Sequence, residues 1–331
     1  MLKTHWRFAV VCFILLVVMV FRFHQGIVQQ DNYLGYAVSL PSGLKDISFY
    51  DSRLFPGLPA IIYFLNLVFN NTLLCGYLAV FLAFIGSYVI LYKLTGSANS
   101  FIPLMFPPVM LSQSSLVATE IPVVFLILLS LYLFKKEKYS LAVFVSAFGF
   151  WIRAIAIIPG VIILSWLLIR DGRNAIKYLS YFLFPLTLLV FFNLHFFGAE
   201  ELFHQFTAYQ QLGLGTLGIT QIFADIPRAY RWGWYRIFAS GVFYFSLAIV
   251  FVASSIAALR RRSGGFYKVL SATLMVSMAF IFSLNSVPFL ENLGRYLAPT
   301  VPVFWLLYYD KFRSEKLAWF LLSVSLIGTL I

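Results

Sequence analysis

Charged side chains are what this chain lacks. Asp, Glu, Lys and Arg make up 11% of its 331 residues, while 61% are hydrophobic. A soluble domain carries about 25% charged and about 45–50% apolar residues. Too few charges are present to cover a water-facing surface, which excludes a soluble enzyme and a disordered segment. Cysteine is scarce too. Cys12 and Cys75 both lie in apolar runs, which excludes a disulfide-stapled secreted domain and reads as two small buried hydrophobes. His5, His24, His195 and His204 are too scattered for a ligand set, and no metal-type Cys/His spacing occurs. Acids are few as well, 12 against 24 Lys and Arg, for a net charge of +12. The bases are not gathered on one domain, so nucleic acid is a poor explanation for them.

What the chain has is apolar length. A spanning helix needs roughly 20 mostly apolar residues. The first run, Phe8–Phe21, follows Lys3, His5 and Arg7, and no small-residue cleavage site succeeds it. It reads as an uncleaved signal anchor. Further runs fall near 72–92, 99–118, 121–134, 139–152, 154–169, 178–197, 237–259, 266–287, 296–309 and 317–331, which makes about eleven spans. Leu58–Phe69, between Pro56-Gly57 and Asn70-Asn71, is short for a crossing.

The positive-inside rule decides that run. If Leu58–Phe69 does not cross and the N-terminus is cytoplasmic, the inner segments hold sixteen basic and four acidic residues, and the outer segments eight of each. If it crosses, the basic clusters face outward. Leu58–Phe69 is therefore expected as a re-entrant or interfacial amphipathic helix in the first outer loop. The expected fold is an all-α polytopic membrane protein, one domain over residues 1–331, with long outer loops at 23–71 and 198–236. No internal repeat or soluble domain is evident. The 37 Phe and 19 Tyr suit lipid-facing bulk and interfacial belts.

Ionisable groups at membrane depth are costly and mark functional candidates. Asp31, Glu120, Arg153, Glu291 and Arg295 all fall on the outer side, each beside a span end. Acids together with arginines suit a carboxylate that takes a proton and cations that hold a phosphate. Plainer roles are open: Asp31 as a helix cap, Glu120 paired with Arg153 structurally.

In order along the chain stand Asp31, a Tyr/Ala-rich segment, Arg53-Leu54-Phe55-Pro56-Gly57-Leu58-Pro59, Thr119-Glu120-Ile121-Pro122, Arg153, and Gly294-Arg295-Tyr296-Leu297-Ala298-Pro299. This order resembles the GT-C superfamily of membrane glycosyltransferases, which includes protein O-mannosyltransferases, lipid A aminoarabinose transferases and GPI mannosyltransferases. The resemblance implies a GT-C-like bundle and a polyprenyl-phosphate sugar donor. A hydroxyl acceptor on a glycan, lipid or protein would be glycosylated with inversion. Asp31 would be the general base, and Glu120 would position the acceptor. Arg153 and Arg295 would bind the donor phosphate. Tyr33, Asp51, Arg53, Glu291 and Tyr296 are weaker substrate-binding candidates. A divalent metal on Asp31 and Glu120 is an open possibility, although many relatives carry an acidic pair where Gln30-Asp31-Asn32 has one acid. The Trp- and Tyr-bearing loop 198–236 suits either acceptor stacking or an interfacial belt. The expected setting is a bacterial inner membrane, with the N-terminus cytoplasmic and the active site periplasmic. Two other classes stay open: a transporter or flippase of a lipid-linked sugar, and a non-catalytic membrane scaffold.

Overall fold

The computed structural model describes residues 2–29, 31–40, 55–211, 234–261, 264–283 and 289–330. Among them no β-strand forms; a single parallel bridge joins Gln29 to Val117. The helices are α1 (Leu2–His24), α2 (Tyr33–Ser39), α3 (Gly57–Phe69), α4 (Thr72–Thr95), α5 (Ile102–Met105), α6 (Pro108–Ser114), α7 (Glu120–Lys135), α8 (Tyr139–Gly149), α9 (Ile158–Asp171), α10 (Ile176–Gln211), α11 (Trp234–Arg261), α12 (Gly265–Ser283), α13 (Phe289–Leu297), α14 (Val301–Tyr308) and α15 (Glu315–Leu330).

Among the described residues, six helices are long and apolar enough to cross a membrane: Trp6–His24, Thr72–Thr95, Ala154–Asp171, Ile176–Phe196, Gly241–Arg261 and Gly265–Ser283. This is fewer than the eleven runs suggest: proline breaks two of the five that fall short, and α7 and α15 reach only 16 residues each. A proline removes a donor and disfavours helix in the residue before it. Pro103, Pro107 and Pro108 cut the 99–118 run into α5, of 4 residues, and α6, of 7. Pro299 and Pro302 divide the 296–309 run among the end of α13, a 3₁₀ turn and the 8-residue α14. The 139–152 run yields only 11 helical residues. Gly198, at φ 78° and ψ 169°, breaks α10.

Leu58–Phe69 forms a helix one residue longer than expected. At 13 residues and 1.5 Å rise it reaches about 20 Å, short of the roughly 30 Å hydrocarbon thickness. It buries Leu58 and Ile62 and exposes Phe64, Leu67 and Val68. It ends at Asn70, a left-handed position that asparagine tolerates. The Asn71 side chain then caps α4 by accepting from the Leu74 N–H at 3.0 Å.

The interior is one apolar cluster reaching from Val11 to Leu322. Outer helix faces are apolar as well, and Ile169 on α9 is 88% exposed. A surface of this kind is stable against lipid, not water. Of the cysteines, Cys75 is buried as expected, whereas Cys12 is only partly so.

Side-chain contacts define two ends of the bundle. At one end Arg7, early in α1, bonds Asn99 Oδ1 at 3.1 Å and Glu315 Oε2 at 2.5 Å. Asn99 also donates to the Phe312 and Arg313 carbonyls, at 3.3 and 3.0 Å. Close by in sequence, Lys135 at the end of α7 reaches the Leu94 carbonyl at the end of α4. At the other end, Arg22 of α1 donates to the Ser112 carbonyl at 3.3 Å, and the Val117 N–H to the Val28 carbonyl at 3.0 Å. Here α7 begins, and the candidate site lies with it.

Candidate active site

Four backbone segments converge on one point. Asp31 sits between the Gln29–Val117 bridge and the start of α2. The Gln29 side chain accepts from the Leu34 N–H at 3.1 Å, which satisfies a donor of the first turn of α2 and fixes the approach of residue 31. Glu120 is the first residue of α7, and a carboxylate is favoured there by the helix dipole. Arg153 lies in extended backbone between α8 and the 3₁₀ turn Ala154–Ile157, its N–H held by the Gly149 carbonyl at 3.1 Å. Arg295 is in the last turn of α13.

Two glycines set the approach of these segments. The Gly57 N–H donates to the Trp151 carbonyl at 2.8 Å. A Cβ on Gly57 would lie 2.8 Å from that same carbonyl oxygen, so α3 docks beside Arg153 only because residue 57 has no side chain. Gly294 lies against the Tyr244 ring, where a Cβ would come within 2.6 Å. Tyr244 is itself held, since its hydroxyl accepts from the Val109 N–H at 3.1 Å.

The side chains form one network. Arg295 donates through Nη2 to Asp31 Oδ2 at 2.5 Å and through Nε to Glu120 Oε1. Arg153 donates through Nη1 to the same Glu120 oxygen. The Tyr33 hydroxyl donates to Asp31 Oδ2 at 2.8 Å and lies 3.3 Å from Thr119 Oγ1. The Arg153 guanidinium stands 5.6 Å from the centroid of the Tyr296 ring, in cation–π range. Two acids and two arginines thus balance to zero. Removing ions from water costs several kcal/mol each unless they are paired and hydrogen-bonded. Glu120 is 0% exposed, and Asp31, Arg153 and Arg295 are 18%, 17% and 15%.

The electrostatics follow. Burial alone would lower the Arg295 pKa, but Glu120 and Asp31 outweigh it and hold the guanidinium well above its ordinary value. Burial first, then the charges of Asp31 and Glu120, raise the Tyr33 phenol, so it stays protonated and keeps donating. One atom is left over: Glu120 Oε2 is buried with no hydrogen-bond partner. Among the described residues nothing donates to it, and a buried acceptor of this kind calls for a partner.

The structure therefore gathers Asp31, Tyr33, Glu120, Arg153, Arg295 and Tyr296. Glu120 is paired with Arg153, the plainer role left open for it. Glu291 lies in α13, but its side chain is outside the described residues, as are Asp51, Arg53 and residues 212–233 of the second long loop. Thr119, Gln29, Trp151 and Tyr244 are additions. Thr119 belongs to the Thr-Glu-Ile-Pro stretch yet carries no charge to draw attention. Trp151 acts through its backbone carbonyl, which no side-chain pattern announces.

A divalent metal does not fit the Asp31–Glu120 pair. Arg295 lies between the two carboxylates and bonds both, so a dication there would have to displace a guanidinium that already neutralises them. No group of three His, Cys, Asp or Glu able to hold a metal occurs among the described residues. Comparison of the chain with protein-family models, curated proteins and solved structures gives no match. Function is read from the site itself.

Proposed function

We propose that this protein is a membrane glycosyltransferase of GT-C type, moving a sugar from a polyprenyl-phosphate donor to a hydroxyl acceptor. The observation that carries this reading is Arg295 bridging Asp31 and Glu120 at one end of an apolar helical bundle. A lipid-linked donor explains why a polar site would be built at a membrane end. The charge map of the sequence puts that end outside, in a bundle of about eleven crossings that counts the proline-broken and short helices.

The reaction needs a base for the acceptor proton and a cation for the departing phosphate. Arg295 holds Asp31 in the resting site through its Nη2–H. A bound phosphodiester offers Arg295 a competing anion. Once Arg295 turns to the phosphate, Asp31 Oδ2 is released from that contact and can take the acceptor proton. The acceptor oxygen then bonds to the anomeric carbon as the bond from that carbon to the phosphate oxygen breaks. The acceptor proton passes to Asp31, and the bonding pair leaves with the lipid phosphate, whose added charge meets Arg295 and Arg153. Attack opposite the leaving group inverts the anomeric centre through an oxocarbenium-like transition state. Glu120 keeps the two arginines in place, and its open Oε2 accepts a hydrogen bond from the acceptor.

The test is transfer of labelled sugar from polyprenyl-phosphate sugars in membranes, wild type against Asp31→Asn. Loss of a general base lowers transfer by roughly 10²–10⁴-fold. The Asn keeps the shape and a hydrogen bond to Tyr33, so folding is checked by detergent gel filtration. Unchanged transfer in the variant would remove Asp31 as the base. Translocation of the lipid-linked sugar without any transfer would replace the enzyme by a flippase. Neither activity with any donor would leave the scaffold reading.

A further inference from the structure

The charged groups near the site end include one arginine that the network does not use. Arg22 lies in the last turn of α1, half-buried. Its guanidinium has five donors, yet it makes one long hydrogen bond, 3.3 Å to the Ser112 carbonyl. No carboxylate among the described residues pairs with it. The other two arginines described at this end each have one: Arg153 has Glu120, and Arg295 has Glu120 and Asp31. Tyr77 of α4 lies within electrostatic reach of Arg22, and its neighbour Gly76 packs against Val117, whose N–H bonds the Val28 carbonyl just past α1. The Tyr77 hydroxyl is buried and has no hydrogen-bond partner. A cation short of acceptors and a hydroxyl short of a partner thus lie within electrostatic reach of one another at the end of α1.

We propose that Arg22 and Tyr77 form a second anion site, separate from the Asp31–Arg295 network, that takes the phosphate of a membrane lipid. A phosphate offers several acceptor oxygens, which suits both a guanidinium fork and a phenolic donor at once. The same helices offer a surface for the apolar part of the ligand. Below Arg22, α1 exposes Phe13, Leu16, Val17, Val20 and Phe21, and Leu74 is exposed one turn before Tyr77 on α4. A hydrocarbon chain hanging from a phosphate at Arg22 would lie along that face. A free phosphate has no use for it. The site needs no glycosyl transfer, so it stands or falls independently of the proposed reaction.

Native mass spectrometry of the full chain, released from detergent micelles and titrated with phosphatidic acid, reads this directly. Wild type is expected to retain one lipid that survives activation. Arg22→Gln should weaken that retention by about tenfold or more, the scale of a hydrogen bond to a charged group. Tyr77→Phe should weaken it several-fold, and Arg22→Lys should restore part of it. Each variant is first shown to be folded by its detergent gel-filtration profile. Should Arg22→Gln prove unstable, Tyr77→Phe and Arg22→Lys carry the test alone. Equal retention in wild type and Tyr77→Phe, or in wild type and Arg22→Gln, would overturn the site. Displacement of the lipid by millimolar inorganic phosphate would overturn the role of the chain and assign the pocket to a free anion.

Discussion

The two ends of the bundle use the same residue types in opposite ways. At the site end, four charges are drawn into a neutral cluster with a fully buried carboxylate at its centre. At the other end, charges sit at the surface. The Arg313–Asp310 pair is 65% and 47% exposed, and Arg170–Asp171 is 51% and 27% exposed. There the bases lie on rings: Arg170 is 4.6 Å from the Trp166 centroid and 5.6 Å from that of Tyr139, and Lys136 is 5.9 Å from that of Tyr132. Such side chains lay their stems on apolar surface and keep the charged head in water or among headgroups. Surface cations of this kind set orientation and meet anionic lipids. Buried ones cost free energy to place, and a protein keeps such a cluster where a task requires it. Burial, not charge count, separates a site from an anchor here.

The largest expected effect lies at the centre of that contrast. Glu120→Gln removes the charge that holds Arg153 and Arg295 together. Breaking a buried ion pair from one side costs about 3–5 kcal/mol, because the partner charge is left uncompensated. Unfolding by sodium dodecyl sulfate in mixed micelles should show a loss of that size. A variant that unfolds at the wild-type point would show that the two ends do not differ in desolvation. A smaller effect is expected at Gly294. Its Cβ position is 2.6 Å from the Tyr244 ring, and overpacking costs typically about 1–3 kcal/mol, partly offset by the roughly 0.5–1 kcal/mol that alanine gains over glycine in a helix. Gly294→Ala should therefore lose about 1 kcal/mol while displacing Arg295. Adding Tyr244→Leu should recover most of the loss caused by the alanine. No recovery in the double variant would mean that Tyr244 does not position α13.

Much of this contrast is legible in the sequence. A nearly charge-free chain must place its few acids deliberately, so Asp31, Glu120, Arg153 and Arg295 stand out as membrane-edge groups before any contact is known. Segregation of the excess bases from the balanced set is visible for the same reason. Where the sequence misleads is helix length. Hydropathy does not register that Pro103, Pro107 and Pro108 fragment the 99–118 run, because proline between apolar neighbours barely lowers a windowed average. It is also blind to contacts made by backbone. The Trp151 carbonyl that docks Gly57 and the Gln29 amide that caps α2 depend on where segments meet in space, and periodicity carries no record of that. Thr119 is a third case, since a hydroxyl beside a charged residue gains meaning only when Tyr33 arrives from 86 positions away.

The smallest expected effect sits at the opposite end, and it tests the contrast from its weak side. Arg313 and Asp310 approach to 2.6 Å across one helical turn, as short as many strong pairs. Distance alone would rank them with Arg295 and Asp31, at 2.5 Å. Exposure ranks them differently. Water and salt screen a pair at the surface, and the two side chains lose rotamer freedom in meeting, so such pairs contribute roughly 0–1 kcal/mol. A double-mutant cycle of Arg313→Gln and Asp310→Asn, read by the same unfolding titration, should give a coupling below about 0.5 kcal/mol that fades further as salt is added. The corresponding cycle of Arg295→Gln and Asp31→Asn should give several times more, with little salt dependence, because ions cannot enter between buried groups. Equal couplings from the two cycles would mean that proximity, not burial, decides what a charge pair is worth in this bundle.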